Sequence, residues 1–185
     1  MIEIRWHGRG GQGAVTSSKI LADAAFRSGW SGVTAAPSFG AERRGAPVTA
    51  STRLARERIR ILSQVTTPDV VVVLDDSLLA VANATAGMKP GGTMLVNTTQ
   101  GAEALGIDGD FRVVTSDVTG AAEAAGVIVG GQTIVSAAIV GAVAKATGLV
   151  TMDGVEAAIA DAVSGSAATK NLEAARTAFE CTAGQ

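Results

Sequence analysis

The sequence has very few of the side chains that bind metals or carry out redox chemistry. Its 185 residues include a single cysteine, Cys181, and a single histidine, His7. One thiol forms no disulfide within the chain and cannot supply the several cysteines that an iron–sulfur cluster or a structural zinc site requires. We therefore predict that this chain binds no metal or cluster alone, and the low cysteine content is consistent with a cytoplasmic protein.

Aromatic residues are also scarce. They make up 3% of the chain, tyrosine is absent, and the isoelectric point is about 5.4, which together argue against a nucleic-acid-binding protein. The charge is nevertheless uneven, because residues 1–60 carry ten Lys/Arg and four Asp/Glu, whereas residues 61–185 carry five and thirteen. This asymmetry indicates a basic face that meets an anionic ligand or partner.

Residues 124–144 contain no charged side chain, so a membrane helix has to be considered. The pair Gly130-Gly131, followed by Gln132, favours a turn that leads into a buried helix. We expect no membrane span.

The hydrophobic pattern alternates between strand and helix periods, with glycine-rich turns between the elements. Predicted strands are Ile2–Trp6, Val33–Ala36, Val48–Leu54 with a hairpin partner at Glu57–Leu62, Val70–Leu74, Thr93–Asn97 and Arg112–Thr115. Predicted helices are Gln12–Arg27, a short helix capped by Asp75-Asp76-Ser77 and reaching about Ala86, Val118–Ala125, Thr133–Thr147, Met152–Val163 and Leu172–Cys181. This order predicts one α/β domain over residues 1–185, with a Rossmann-like, doubly wound, mostly parallel sheet and C-terminal helices.

The first candidate site is the loop Gly8-Arg9-Gly10-Gly11-Gln12-Gly13. It satisfies the pattern G-x-G-x-x-G, follows the first strand and opens the first helix, where backbone N–H groups favour an anion. Binding of a dinucleotide would also require an acidic residue about 20 positions further on. The segment Val33–Pro37 has no Asp or Glu, so the ribose anchor is missing, and a tight turn with structural glycines is the alternative.

The second candidate site is the segment from Pro37 to Pro47, which contains Ser38, Phe39, Glu42, Arg43 and Arg44. Its two arginines are able to clamp a carboxylate or phosphate, and its flanking prolines restrict the loop. Pairing with Glu42 in an ordinary solvated loop is the alternative.

Other polar residues have simpler interpretations. A stripe formed by Arg56, Arg58 and Arg60 on a strand is typical of a solvated edge, although a partner-binding edge stays open. His7 is interpreted as a histidine satisfied by backbone hydrogen bonds rather than as a general base, and Asp75-Asp76 as a helix cap. No complete catalytic constellation is visible, so we predict no catalytic residue in this chain.

Both candidate sites lie in segments that resemble the sequence signatures of a known family. The segments Arg5–Val15 and Pro37–Val48, in this order and spacing, resemble the two signatures of gamma subunits of pyruvate and other 2-oxoacid:ferredoxin oxidoreductases. Segments around Asn97-Thr98, Gly148-Leu149-Val150 and Lys170-Asn171-Leu172 are also similar, so the resemblance covers nearly the whole chain.

The resemblance implies a non-catalytic subunit of a complex that converts a 2-oxoacid and coenzyme A into acyl-CoA and carbon dioxide. It implies alpha-, beta- and delta-type partner subunits that hold thiamine diphosphate, Mg²⁺ and [4Fe–4S] clusters, with ferredoxin, or NAD through a flavin subunit, as acceptor. Pyruvate is the default substrate, while 2-oxoglutarate, branched-chain, indolepyruvate and arylglyoxylate enzymes stay open. We expect the two loops to face the partner active site and coenzyme A. A stand-alone Rossmann oxidoreductase or a nucleotide-sensing module is the alternative.

Overall fold

The computed structural model describes residues 1–37, 45–61 and 63–184. The strands are β1 (Ile2–Arg9), β2 (Gly32–Pro37), β3 (Pro47–Ala55), β4 (Val70–Val73), β5 (Gly92–Asn97), β6 (Phe111–Ser116), β7 (Ile128–Val129) and β8 (Gln132–Thr133). The α-helices are α1 (Ala14–Arg27), α2 (Val118–Ala124), α3 (Ala138–Thr147), α4 (Met152–Ala162) and α5 (Ser166–Cys181). Two short 3₁₀ helices span Asp76–Leu78 and Ala102–Leu105.

Six strands form one mixed sheet in the order β2-β3-β1-β4-β5-β6, and β7 and β8 form a separate small hairpin. Strands β1, β4, β5 and β6 run parallel, whereas β3 lies antiparallel between β1 and β2. The predicted fold class, a Rossmann-like α/β domain with a mostly parallel sheet, is confirmed.

The uninterrupted valine run in β4 shows why the sheet has two covered faces. Val70 and Val72 belong to the larger hydrophobic core, whereas Val71 and Val73 belong to a smaller core on the opposite face. A strand that is buried on both faces needs no polar alternation, which is the pattern that the sequence shows.

The two faces are covered by different kinds of structure. The larger core contains buried residues from all five α-helices, so these helices pack on one face of the sheet. The smaller core is closed by 3₁₀ turns and loops, through residues such as Leu78, Ala84, Leu105 and Ile107. The chain therefore winds on both sides of the sheet, but its α-helices lie on only one.

Four secondary-structure predictions are wrong, one of which is the start of α5, at Ser166 rather than at Leu172. Residues 57–61 are not a strand, because β1 and β2 already occupy both edges of β3, and Leu62 lies outside the described residues. Arg56, Arg58 and Arg60 therefore do not form a stripe on a strand, although all three line one surface cavity beside Trp30. The helix after Asp75 ends at Leu78 as a single 3₁₀ turn, and Asn83 further on has a left-handed φ of 42°. Helix α3 begins at Ala138 rather than at residue 133, because the β7–β8 hairpin precedes it.

Residues 124–144 are thus divided between the end of α2, the hairpin and α3. In the described parts of the chain, no helix has the length and apolar character needed to cross a membrane.

Helices α3 and α5 approach each other closely through small residues. A Cβ added at Gly141 would lie 2.1 Å from the backbone oxygen of Ala175, which is fully buried, as is Ala142 beside the glycine. Glycine at position 141 is therefore required by the helix–helix distance and not by the helix itself.

We predict that Gly141→Ala destabilises the protein although alanine is the better helix former. Helix propensity alone would stabilise by about 1 kcal/mol, whereas overpacking against Ala175 costs about 1–3 kcal/mol, so the net change is a loss. Urea denaturation measures it. The exposed Thr169→Ala in α5 is the control and should stabilise slightly. A Gly141→Ala variant that is more stable than the parent would contradict the close approach.

Candidate functional site

The candidate site lies at the carboxyl edge of the parallel strands. The glycine loop begins within β1, whose last two residues are Gly8 and Arg9, and leads into α1. Asp75 comes shortly after β4, and Asn97 ends β5. Beyond β1 the chain passes to the face of the sheet that carries α1, whereas beyond β4 it passes to the face that carries the 3₁₀ turns. Open α/β sheets bind ligands where neighbouring connections leave on opposite faces, so the gap between β1 and β4 is the expected position for a site.

The glycine loop opens helix α1 in a conformation that requires glycine. Gly13 is the N-cap residue with a φ of 89°, and a Cβ added there would lie 2.7 Å from the Cβ of Ser136. No side chain caps the helix and its first turn has no acidic residue, so no carboxylate of its own offsets the positive end of its dipole. Gly11 has a φ of 94°, and a Cβ added there would meet no atom within 4 Å, so the loop faces open space.

The polar side chains of this loop point towards the end of β4. The Arg9 Nε atom donates to Oδ2 of Asp75 at 3.0 Å, and the Gln12 Nε2 atom donates to the same oxygen at 2.8 Å. Arg9 also donates to the Ser77 hydroxyl at 2.7 Å and to the carbonyl of Gly45 at 3.1 Å. The Gln12 Oε1 atom in turn accepts from the backbone N–H of Arg9 at 2.7 Å, which closes the loop upon itself.

Asp75 is the acceptor that joins these groups. Its Oδ1 atom accepts from the backbone N–H of Ser77 at 3.0 Å and from the Ser77 hydroxyl, and thereby caps the 3₁₀ turn. Burial alone raises the pKa of the Asp75 carboxyl, but the hydrogen bonds from Ser77, Gln12 and Arg9 outweigh it and hold the pKa below its usual value. Asp75 is therefore ionised at neutral pH and neutralises Arg9.

The capping role predicted for Asp75 is confirmed, but sequence reasoning missed its pairing with Arg9 and Gln12. The two partners in the ion pair are 66 positions apart, and nothing in their local spacing indicates that they meet. The pairing also changes the chemistry of the loop. Because the guanidinium of Arg9 is engaged on three sides, the loop offers an anion its backbone N–H groups rather than a free arginine.

A second group of hydrogen bonds fixes the end of the neighbouring strand, β5. The Asn97 amide donates to the carbonyl of Leu74 at 2.9 Å and to the Thr119 hydroxyl at 2.8 Å, and its oxygen accepts from the Thr119 N–H at 3.1 Å. Thr98 donates to Asp76 at 2.7 Å. These bonds tie the ends of β4 and β5 to the start of α2, so the edge that carries the glycine loop is rigid.

A cavity of about 400 Å³ lies over the glycine loop. It is lined by Arg9, Gly10, Gly11 and Gln12 from the loop, by Gly45, and by residues 132–134 from the β7–β8 hairpin and the residue after it. Its volume is within the usual range for a small-molecule site.

The second predicted loop returns to this cavity at its C-terminal end. The backbone N–H of Gly45 donates to the carbonyl of Gly10 at 3.0 Å, and the N–H of Gly10 donates to the carbonyl of Ala46 at 2.9 Å. The structure thus brings the two sequence motifs together at Gly10. The candidate residues Ser38, Phe39, Glu42, Arg43 and Arg44 lie outside the described residues.

The β7–β8 hairpin is part of the cavity that sequence reasoning missed. Ile128 pairs with Thr133, and the Gly130-Gly131 turn has positive φ at both residues. A Gly-Gly pair between short β-branched segments is a hairpin signal, and weighing it against the helical pattern that follows would have located the hairpin.

The described residues offer no acidic ribose anchor and no metal centre at this site. Strand β2 ends at Pro37 without an acidic residue and is separated from β1 by β3. Across residues 1–37, 45–61 and 63–184, no group of three or more His, Cys, Asp or Glu side chains is arranged to hold a metal ion. That the chain binds no cofactor alone stays a prediction.

Comparison with known proteins decides the family. Residues 3–181 match the family model described as pyruvate ferredoxin/flavodoxin oxidoreductase. The chain belongs to this family. It is 52% identical to the pyruvate/ketoisovalerate oxidoreductases common subunit gamma of Thermococcus litoralis, over 98% of this chain and 97% of that protein. The family predicted from the two sequence motifs is confirmed.

Solved structures show the same fold. The pyruvate oxidoreductase subunit PORC of Thermotoga maritima superposes with a TM-score of 0.82 at 33% identity, over 98% of this chain and 96% of that one. A chain of the 2-oxoglutarate:ferredoxin oxidoreductase of Magnetococcus marinus, solved with 2-oxoglutarate, coenzyme A and succinyl-CoA bound, superposes with a TM-score of 0.69 at 17% identity. This chain covers 31% of that longer one, so the same fold also occurs as part of a larger chain.

We predict that Asp75→Asn destabilises the protein by about 1–3 kcal/mol at pH 7, because a charged acceptor of three side chains becomes neutral. The folded pKa of Asp75 lies below the ordinary value of 3.8, so its stabilisation is complete above that value and is lost as the pH falls through the folded pKa. The variant should lack this part of the acid dependence, which urea denaturation at a series of pH values measures.

Asp23→Asn is the matched control, because Asp23 pairs with Arg27 one helical turn away at the surface. Loss of this ion pair should lower the free energy of unfolding by only about 0.5 kcal/mol. Equal losses in the two variants, or an acid dependence that persists in Asp75→Asn, would contradict the role assigned to Asp75.

Proposed function

We propose that this chain is the gamma subunit of a thiamine-diphosphate-dependent 2-oxoacid:ferredoxin oxidoreductase complex. Such a complex converts a 2-oxoacid and coenzyme A into an acyl-CoA, carbon dioxide and two electrons for an acceptor. The end-to-end similarity to the gamma subunit of Thermococcus litoralis and to PORC of Thermotoga maritima supports this role. Pyruvate is our default substrate because both of these relatives carry it in their names.

The placement of the cofactors is what the family resemblance implies: thiamine diphosphate with Mg²⁺ and the [4Fe–4S] clusters are assigned to the alpha-, beta- and delta-type subunits. The single cysteine of this chain, too few to hold a cluster, agrees with that assignment. Ferredoxin, or NAD through a flavin subunit, receives the electrons. The isolated chain is expected to be inactive.

The observation that carries the proposed role is the uncapped start of α1 beneath the cavity. Backbone N–H groups at a helix N-terminus favour a phosphate, and Gly11 leaves space above the loop for close approach. The phosphates of coenzyme A fit this chemistry, and the Magnetococcus marinus structure contains coenzyme A in an enzyme with the same domain fold. Gly11, Gly13 and the first turn of α1 would hold it, because the N–H groups of Gly10 and Gln12 already donate to the carbonyls of Ala46 and Arg9. Arg43 and Arg44 are further candidates. Bound there, coenzyme A supplies the thiol that accepts the acyl group, and this chain only positions it.

We predict that Gly11→Ala in the assembled complex raises the KM for coenzyme A roughly tenfold, which corresponds to about 1.4 kcal/mol. The methyl group would enter the open space over the loop, and a φ of 94° strains any residue other than glycine. Steady-state kinetics at saturating 2-oxoacid measures the KM, and kcat should change much less.

Gly29→Ala is the matched control. Gly29 has a φ of 93°, and a Cβ added there also meets no atom within 4 Å, but it lies beyond the other end of α1. Both variants should lose similar stability, and only Gly11→Ala should affect coenzyme A. An unchanged KM in Gly11→Ala within an intact complex would remove the coenzyme A role while leaving the subunit assignment in place.

The alternative function is a stand-alone Rossmann oxidoreductase or nucleotide sensor. It is disfavoured because β2 ends without a carboxylate for the ribose. We predict that the isolated chain shows no saturable change in the fluorescence of its two tryptophans when titrated with NAD or NADH. Tight binding of either nucleotide, or turnover by the isolated chain, would favour the alternative.

A further inference from the structure

The polar groups towards the carboxyl end of β1 are closed to an outside ligand. The Nε2 atom of His7 accepts from the Arg5 Nε atom at 3.1 Å, and Nδ1 is the one buried side-chain nitrogen or oxygen without a hydrogen-bond partner among the described residues. The prediction that backbone hydrogen bonds satisfy His7 is therefore wrong. The residue is 4% exposed, however, so Nδ1 is enclosed by the protein itself. An open cavity lies instead at the amino end of the same strand.

This second cavity, the arginine cavity, is lined by Met1, Ile2, Trp30 and residues 55–61. Its volume is about 950 Å³, against about 400 Å³ for the cavity over the glycine loop. Ile2 begins β1 and pairs with Leu54 near the end of β3, so the arginine cavity and the glycine loop lie at opposite ends of the sheet. Because β1 spans eight residues, its two ends are roughly 23 Å apart.

The segment that carries the arginines crosses the end of β2 at close range. A Cβ added at Gly32, the first residue of β2, would lie 1.9 Å from the backbone oxygen of Glu57 and 3.3 Å from Cγ1 of Ile59. Glycine at position 32 therefore allows the chain after β3 to lie against the sheet. Ile59 is half-buried, whereas the three arginines of the segment are exposed. The backbone of the segment is thus fixed while its charged side chains face outwards.

Trp30 and Arg56 form a fixed part of the cavity wall. The Trp30 Nε1 atom donates to the carbonyl of Leu149 at 2.7 Å, and the Arg56 guanidinium lies 4.5 Å from the centre of the Trp30 ring. The Nη1 atom of Arg56 also donates to the carbonyl of Gly29 at 3.1 Å. Both side chains are therefore ordered before anything binds, which lowers the entropy cost of forming an interface. Tryptophan and arginine are also enriched among the residues that dominate binding energy in interfaces.

The positive charge of the cavity is not neutralised by the chain. None of Arg56, Arg58 and Arg60 forms an ion pair within the described residues, and Glu57 is the single acidic residue of the described lining. Three positive charges against one negative charge leave an excess of two. This excess is local, because residues 61–185 carry thirteen Asp/Glu and only five Lys/Arg.

Exposed apolar side chains lie in the same lining. Met1 is 55% exposed and Ile61 is 47% exposed. A surface that combines apolar side chains, an ordered tryptophan and arginines without carboxylate partners matches the composition of protein interfaces. It is complementary to a peptide segment that carries both carboxylates and an apolar side chain.

A second copy of this chain fits the surface poorly. A twofold symmetric contact would place the same patch of both copies together, so that the excess positive charges of the two cavities would face each other. Like charges brought together in this way oppose association. The complementary partner is therefore a different chain with negative charge.

We propose that the arginine cavity is the docking surface for an acidic segment of another subunit of the complex. The inference rests on the proposed role of this chain as a subunit. At least two carboxylates of the segment would pair with the three arginines, in keeping with the excess of two charges. One apolar side chain would pack between Met1 and Ile61. A partner that docks at this end of the sheet leaves the cavity over the glycine loop open to coenzyme A.

Hydrogen–deuterium exchange of the full-length chain, alone and within the assembled complex, tests the position of the interface. Backbone amides of residues 56–61 should exchange at least about tenfold more slowly in the complex, because a docked segment restricts local opening. Unchanged exchange of these residues in an intact complex would overturn the docking surface and leave the subunit assignment in place. A chain that purifies with no other subunit would instead contradict the proposed function.

Charge variants test the chemistry of the partner. Arg58→Gln combined with Arg60→Gln should raise the apparent Kd for this subunit at least about tenfold when the complex is diluted at low salt, as measured by sedimentation. The difference from the parent should shrink as salt screens the charges. Lys19→Gln combined with Lys170→Gln removes the same charge from exposed positions elsewhere and should leave the Kd unchanged. Equal effects of the two double variants would contradict the site.

The apolar contact and the other occupants are tested separately. Ile61→Ser should also raise the apparent Kd, but without changing its salt dependence, since no charge is removed. The isolated chain should sediment as a monomer, and a dimer that the double arginine variant abolishes would assign the cavity to a second copy. Protection of residues 56–61 in the isolated chain by inorganic pyrophosphate, with none in the complex, would assign it to a small anion. Either result would overturn the proposal.

Discussion

The carboxylate of Asp75 is the constraint on which the geometry of the candidate site depends. It is the common acceptor for Arg9, Gln12 and Ser77, which come from the loop after β1 and the turn after β4. These two strands are neighbours in the sheet, but their connections leave on opposite faces, so backbone hydrogen bonding between them ends where the site begins. The side-chain network continues the contact beyond that point and fixes the glycine loop relative to the sheet.

This arrangement explains why a loop in the basic part of the sequence does not carry free positive charge. Arg9 is paired with Asp75 and holds the loop in place. An anion would therefore interact with the dipole and the N–H groups of α1. Backbone donors are rigid and lose little entropy when a ligand binds. The loop can therefore present an ordered set of donors to an anionic ligand or partner.

Much of the fold could be predicted where neighbouring residues in the sequence determine the secondary structure. Val70–Val73 indicated a strand covered on both faces, and the glycine-rich turn indicated the start of α1 to within two residues, because both depend on local backbone and periodicity. Long-range partners were beyond such reasoning: neither Arg9–Asp75 nor Gln12–Asp75 could be chosen from many equivalent pairings. The predicted strand is wrong over residues 57–61 for a related reason, since the sequence does not show that both edges of β3 are already taken.

The close packing of α3 against α5 has a consequence for how the domain is made. Ala174, Ala175 and Ala178 of α5 complete the same core that begins with Ile4 and Trp6 of β1. During synthesis from the N-terminus, β1 emerges long before α5, so the part of the core that α5 covers stays open until residue 178 has left the ribosome. The earlier helices pack on the same face of the sheet, but the patch beneath α5 stays exposed while the intervening residues are made.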